Sequence, residues 1–256
     1  MATDPVPWMS AWRTSQDILT GSVDPLDVDQ LEQRSYDSEW SIAQVLSHIG
    51  SQAETFGLLL DAGLSGGDPP GQDDFVAIWD RWNNRSPQDR ATDALAANRA
   101  LLSRIESLDD AQRDVFRLKT WGMDLDLAGL LSLRVGELAV HTWDVVVALD
   151  PSATVAPDSV ALLLGTLHRV AGRGKPDGKK RRLHVITTGP ERHFTLETGD
   201  AVKLVDFEPD DYDAELELPA EAFLRLVYGR LDPAHTPAVE ARGVDLDELR
   251  SVFPGF

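Results

Sequence analysis

The chain has 256 residues, a formal net charge of −19 at neutral pH and no cysteine. That length carries one large domain or two ordinary ones, and the charge argues against nucleic acid or an anionic membrane as partner. Without cysteine there are no disulfides, zinc–thiolate sites or thiol nucleophile of the chain's own, so any sulfur chemistry here needs a sulfur carried on a small molecule.

The start, "MATDPVPWMSAW", lacks the basic and then apolar pattern of a signal peptide. Apolar runs are broken by Glu, His, Arg or Asp before the roughly 20 residues of a membrane span. A cytoplasmic protein, monomeric or homodimeric, is expected. "DPVPWMSAWRTSQDILTG" opens on Asp-Pro and predicts a first helix ending at Gly21. "SEWSIAQVLSHIGSQAETFGLLLDAG" predicts a second, with Ile42, Val45, Leu46, Ile49, Ala53, Phe56, Leu59 and Leu60 on one face. Ser38 or Ser41 would cap it and Gly63 close it. "SGGDPPGQDD" reads as a loop. A third helix is predicted from Ser86 to about Leu108, with Ala91, Leu95, Leu101, Leu102 and Ile105 inward. The fourth runs from about Asp124 to Leu149 and is apolar around most of its circumference. Four such helices predict a bundle domain over residues 1–150.

"LDPSATVAPDS", from Leu149, is a Pro-punctuated connection and the expected boundary. Beyond it a helix is predicted at 157–172, then four alternating runs, "RLHVITT", "RHFTLETG", "AVKLVDF" and "YDAELELP". "PAEAFLRLVYGRL" reads as an amphipathic helix and "VDLDELRSVF" as a last short one. Residues 151–256 are thus expected to form a small α+β domain with a mainly antiparallel or mixed sheet, making the whole chain α+β. The basic run "RVAGRGKPDGKKRR" reads as a solvated loop, with a patch for an anionic ligand as the alternative. His168, His184, His193 and His235 read as surface or structural residues.

One stretch does not fit a plain core helix. In "RVGELAVHTWDVVVAL" the residues Val135, Leu138, Ala139, Val140 and Val145 to Leu149 belong inside, yet Glu137 and His141 share a face one turn apart. A metal ion wants a carboxylate oxygen and an imidazole nitrogen at one point. His48, beside the apolar face of the second helix, would complete the two-His, one-Glu set of a catalytic zinc site with one position open. The apolar neighbours would keep such a site rigid and dry. Other readings stay open on spacing alone: an exposed Glu/His pair, a satisfied core histidine, or Glu137 neutralised by Arg134.

The order "EWSIAQVLSHIG", "LRVGELAVHTWDVVVAL" and "LELPAEAFLRLVYGRLDP" resembles the mycothiol-dependent maleylpyruvate isomerase family, whose N-terminal domain is a DinB-like four-helix bundle. The resemblance implies that His48, Glu137 and His141 are ligands of a divalent metal, zinc foremost, and that mycothiol is the thiol cosubstrate. It also implies an active arginine in the C-terminal domain, matched best by Arg230 and next by Arg225. Asp144, one turn past His141, would orient a ligand imidazole or else lie exposed. The implied chemistry is addition of a thiolate to the cis double bond of an activated dicarboxylate, rotation, and expulsion of the thiol. In an S-transferase the sulfur would stay on the electrophile. A metal-dependent hydrolase and a non-enzymatic metal- or ligand-binding protein are the alternatives.

Overall fold

The computed structural model of the chain describes residues 3–36 and 39–255. It divides into two compact units, Met1–Ser159 and Val160–Phe256. The first holds α1 (Val6–Val23), α2 (Val28–Leu31), α3 (Ile42–Ser65), α4 (Gln72–Asn83), α5 (Pro87–Glu106), α6 (Asp110–Val115), the hairpin β1 (Leu118–Thr120) and β2 (Met123–Leu125), and α7 (Leu127–Leu149). The four long helices make the bundle: α3 and α1 each pack against both α5 and α7. No helix among the described residues is long and apolar enough to cross a membrane.

The predicted inner faces of α3 and α5 are buried throughout. α3 begins at a reciprocal cap in which the Ser41 hydroxyl accepts from the Gln44 amide and the Gln44 side chain accepts from the Ser41 amide at 2.8 Å. Ser38, the other expected cap, lies outside the described residues. The helix closes on Gly66, which takes the left-handed conformation at φ 68°. Gly63 instead lies inside the helix, where the Phe116 ring occupies the space a Cβ would need.

Several boundaries differ from expectation for local reasons. α1 runs through Gly21 to Val23. The predicted loop gives way at Gln72 to α4, whose start is capped by the Asp74 carboxylate on the Gly71 amide at 2.8 Å and whose inner face is Phe75, Ile78 and Trp82. The fourth predicted helix starts later, since Met123–Leu125 is strand and Asp126 caps α7 by accepting from the Gly129 amide at 2.8 Å. At its far end Ala148 is exposed and Val146 and Leu149 are half-buried, as the last turn emerges from the bundle.

α8 (Pro157–Leu163) and α9 (His168–Ala171) replace the single helix expected over 157–172, with a turn at 164–167 between them. Then come β3 (Arg181–Thr188), β4 (Arg192–Thr198), β5 (Lys203–Asp206), β6 (Ala214–Pro219), α10 (Ala220–Val227), a 3₁₀ turn at Pro233–His235, β7 (Glu240–Arg242) and α11 (Leu246–Val252). The sheet order is β5-β4-β3-β6-β7, with β3 and β6 parallel and the other pairs antiparallel. It is the mixed sheet of an α+β fold. Leu183, Val185, Leu196, Leu216 and Leu218 alternate onto its buried face, where α10 packs and Phe194 meets Phe223 at 5.6 Å.

The last residues of the basic run pair with acids of their own unit. Lys180 pairs with Asp200 at 2.8 Å, Arg181 with Asp177 at 2.9 Å and Glu248 at 2.6 Å, and Arg182 with Glu208 at 2.8 Å. Those pairs offset part of its charge locally.

On the other sheet face His184 Nε2 lies 2.9 Å from His193 Nδ1, with Phe207 and Tyr212 stacked against His184. Burial, and then His193, lowers the His184 pKa from its ordinary 6.5, while Glu215 pulls it back up. A histidine whose folded pKa is depressed contributes stability that is complete above the unfolded pKa and is lost as pH falls below it. The His184 ring is therefore expected to titrate below 6.5 by NMR. A midpoint at or above that value would contradict the partial burial of His184 beside His193.

Candidate metal centre

α3 and α7 bring three donor atoms together. His48 Nε2 and His141 Nε2 lie 3.4 and 3.6 Å from Glu137 Oε2, and all three donors fall within 4.8 Å of one another. The two imidazole rings meet edge to face with centroids 4.7 Å apart. Among the described residues this is the one group of three His, Cys, Asp or Glu side chains with donors so close. Two nitrogens and one carboxylate oxygen converging from facing helices match the donor chemistry of a divalent cation site.

The surroundings fix these side chains. Asp144 Oδ2 accepts at 2.9 Å from His141 Nδ1, which turns Nε2 toward Glu137. Asp144 is fully buried, so it is the orienting partner rather than an exposed acid, and its backbone carbonyl accepts from the Tyr36 amide at 2.9 Å. The Trp40 ring stands 5.4 Å from His48. The side chains of Glu137, His48 and His141 are 40%, 27% and 15% exposed. The trio therefore faces solvent on the Glu137 side and is not the dry pocket expected.

The groups perturb one another's protonation. Burial alone would raise the Glu137 carboxyl, but hydrogen bonds from His141 and His48 outweigh it and hold Glu137 well below the usual carboxylate range. Burial opposes a proton on His141, yet Asp144 and Glu137 together raise its pKa to about 9. His48 moves the other way, lowered first by burial and also by the neighbouring His141. The two imidazoles that share this carboxylate thus shift in opposite directions.

Arg134 does not neutralise Glu137 by direct contact, one of the readings that spacing allowed. Its buried guanidinium donates to Gln52 Oε1 at 2.9 Å, to Asn98 Oδ1 at 2.8 Å and to the Ile49 carbonyl at 3.2 Å. Gln52, which sequence reasoning missed, donates to Glu137 Oε2 at 2.5 Å and lies 2.9 Å from His48 Nε2. Its spacing held the signal: it follows His48 by one helical turn, on the same face.

The expected arginines belong to the second unit. Arg225 is buried, with Nε and Nη2 closed on the Glu221 carboxylate at 2.7 and 2.8 Å and Nη1 donating to the His235 carbonyl at 2.9 Å. Arg230 follows α10 and is 8% exposed, with Nη1 donating to the Tyr228 carbonyl at 2.8 Å.

A helical bundle with a His/Glu/His cluster between facing helices, followed by a mixed α+β unit, defines the class: a DinB-like bundle with a C-terminal α+β extension. The profile of the mycothiol maleylpyruvate isomerase N-terminal domain matches residues 12–146, and that of the C-terminal domain of the same family matches residues 159–247. The chain belongs to the mycothiol maleylpyruvate isomerase family. Its fold is similar to the crystal structure of the mycothiol-dependent maleylpyruvate isomerase, with a TM-score of 0.67 at 13% identity over 93% of each chain. A histidine-to-alanine mutant of that enzyme gives 0.66 at 12% identity, over 89% of this chain and 90% of the other. A search of curated proteins finds no match.

Proposed function

We propose that the chain is a cytoplasmic, divalent-metal-dependent enzyme that uses mycothiol as cosubstrate to isomerise, or to conjugate, an electrophilic small molecule such as maleylpyruvate. The convergence of His48, Glu137 and His141 within 4.8 Å, on a bundle of this family, carries the reading. These three residues would hold the ion, with zinc proposed, and leave a coordination position open. When bound, the ion supplies Lewis acidity and lowers the pKa of a thiol.

The chain's own residues do the rest. Asp144 holds the His141 ring so that Nε2 presents a lone pair to the site once its proton leaves. The exposed side of Glu137 leaves room for a thiol cosubstrate to approach. The absence of cysteine means that the sulfur arrives on that cosubstrate. Arg230 is proposed to grip a substrate carboxylate, a group its planar fork matches. Arg225, the next match to the family's arginine, is the second choice.

The test is metal analysis of the purified protein followed by turnover of maleylpyruvate with and without mycothiol. About one zinc per chain and turnover that needs both are expected. Turnover of an ester or amide that ignores the thiol would favour a hydrolase. A protein that takes up no metal would instead be a binding protein of this fold.

A further inference from the structure

Resting on the metal reading above, we propose that Gln52 is a positioning residue. Turned by Arg134 from behind, its amide holds the Glu137 carboxylate in the arrangement that receives the ion.

The orientation of the amide follows from its neighbours. A guanidinium can only donate, so the Gln52 atom 2.9 Å from Arg134 Nη1 is the carbonyl oxygen. The NH₂ group then points the other way, toward Glu137 Oε2 and His48 Nε2. Turning the amide over would set oxygen against carboxylate and NH₂ against guanidinium, two repulsive contacts. An amide nitrogen has no lone pair for a cation, so Gln52 supports the site without entering it. Its NH₂ donates to the carboxylate oxygen that both imidazoles face, a carboxylate oxygen having a second lone pair left for a cation.

Arg134 is in turn immobilised. Its other contacts are Asn98 and the Ile49 carbonyl, and Asn98 donates to Gln16, which donates to Thr20 Oγ1 at 2.9 Å. Arg134 and Asn98 are fully buried and Gln16 nearly so. The chain of hydrogen bonds thus draws on α1, α3, α5 and α7 before it reaches the donors. A buried polar network of this kind specifies one arrangement when its members are paired.

The experiment is competition titration of Zn²⁺ into metal-free parent and Gln52→Met against a chromophoric chelator. Loss of such a supporting contact is expected to weaken Zn²⁺ about 10–100-fold in protein shown to be folded at the titration temperature, and to lower the metal-free melting curve as well, because Arg134 and Glu137 each lose a hydrogen bond. Arg134→Met is expected to weaken it comparably, and the double variant to be no weaker than the poorer single one, because Arg134 acts through Gln52. Should Arg134→Met fail to fold, Gln52→Met still decides. Parent and Gln52→Met binding Zn²⁺ within about twofold of each other would overturn the proposal alone, since supporting contacts of this kind carry more than that. A parent that takes up no Zn²⁺ would overturn the metal reading and this proposal with it.

Discussion

His141→Ala is expected to lose metal and part of its stability together, whereas His48→Ala loses metal alone. Both imidazoles are placed to ligate, so either substitution should weaken Zn²⁺ by more than the roughly 10–100-fold attached to supporting contacts. The difference lies behind the rings. His141 Nδ1 donates to the fully buried Asp144 carboxylate at 2.9 Å, and a hydrogen bond to a charged group is worth about 1.5–3 kcal/mol. His48 is 27% exposed, and Gln52 keeps its bond to Glu137 when the ring is gone. Chemical melts of the metal-free proteins should therefore place His141→Ala about 1.5–3 kcal/mol below the parent and His48→Ala close to it. Equal melts, or parent-like zinc uptake by His48→Ala, would contradict this division of roles.

Gly229→Ala is expected to be the most damaging single methyl in the second unit. Gly229 has φ 71°, and a Cβ there would overlap the backbone of Gly255 and approach the Pro254 carbonyl carbon at 2.8 Å. The left-handed conformation costs a residue with a side chain about 1–2 kcal/mol, and overpacking adds about 1–3 kcal/mol. The loss should thus be roughly 2–5 kcal/mol by denaturant titration. Since the clash is with backbone, no rotamer change relieves it, and the neighbouring Arg230 must shift with it. Gly57→Ala is the control: it lies inside α3 with nothing near its Cβ position, so about 0.5–1 kcal/mol of stabilisation is expected. Parent-like stability for Gly229→Ala would mean that the Pro254–Gly255 segment moves aside.

What the sequence revealed follows from how local each cause is. The inner face of α3, from Ile42 to Leu60, was legible because burial repeats with the helix turn. The Glu137/His141 pair was legible for the same reason, and His48 from its place beside the apolar face of the second helix, with the family motif falling on the same three residues. The alternating runs of β3 to β6 were plain, while β7 was not: Glu240–Arg242 is exposed throughout and carries no alternation. α4 was hidden because the Gly- and Pro-rich loop signals ran into its first turn, where Asp74 caps it. The destination of Arg134 was least legible. Spacing along one helix suggested Glu137, but the guanidinium crosses to α3 and α5, a choice only the packed bundle decides.

The caps of α3 and α7 set the aim of the site as well as the start of each helix. His48 follows Ser41 by seven residues, and Glu137 follows Asp126 by eleven. At 3.6 residues per turn both spacings are close to a whole number of turns, so each donor stands nearly above its own cap. Adding or removing one residue between cap and donor would swing that donor through about 100°. The spacing between cap and ligand is thus as much a part of the site as the ligands: these two segments can change their side chains, but not their length.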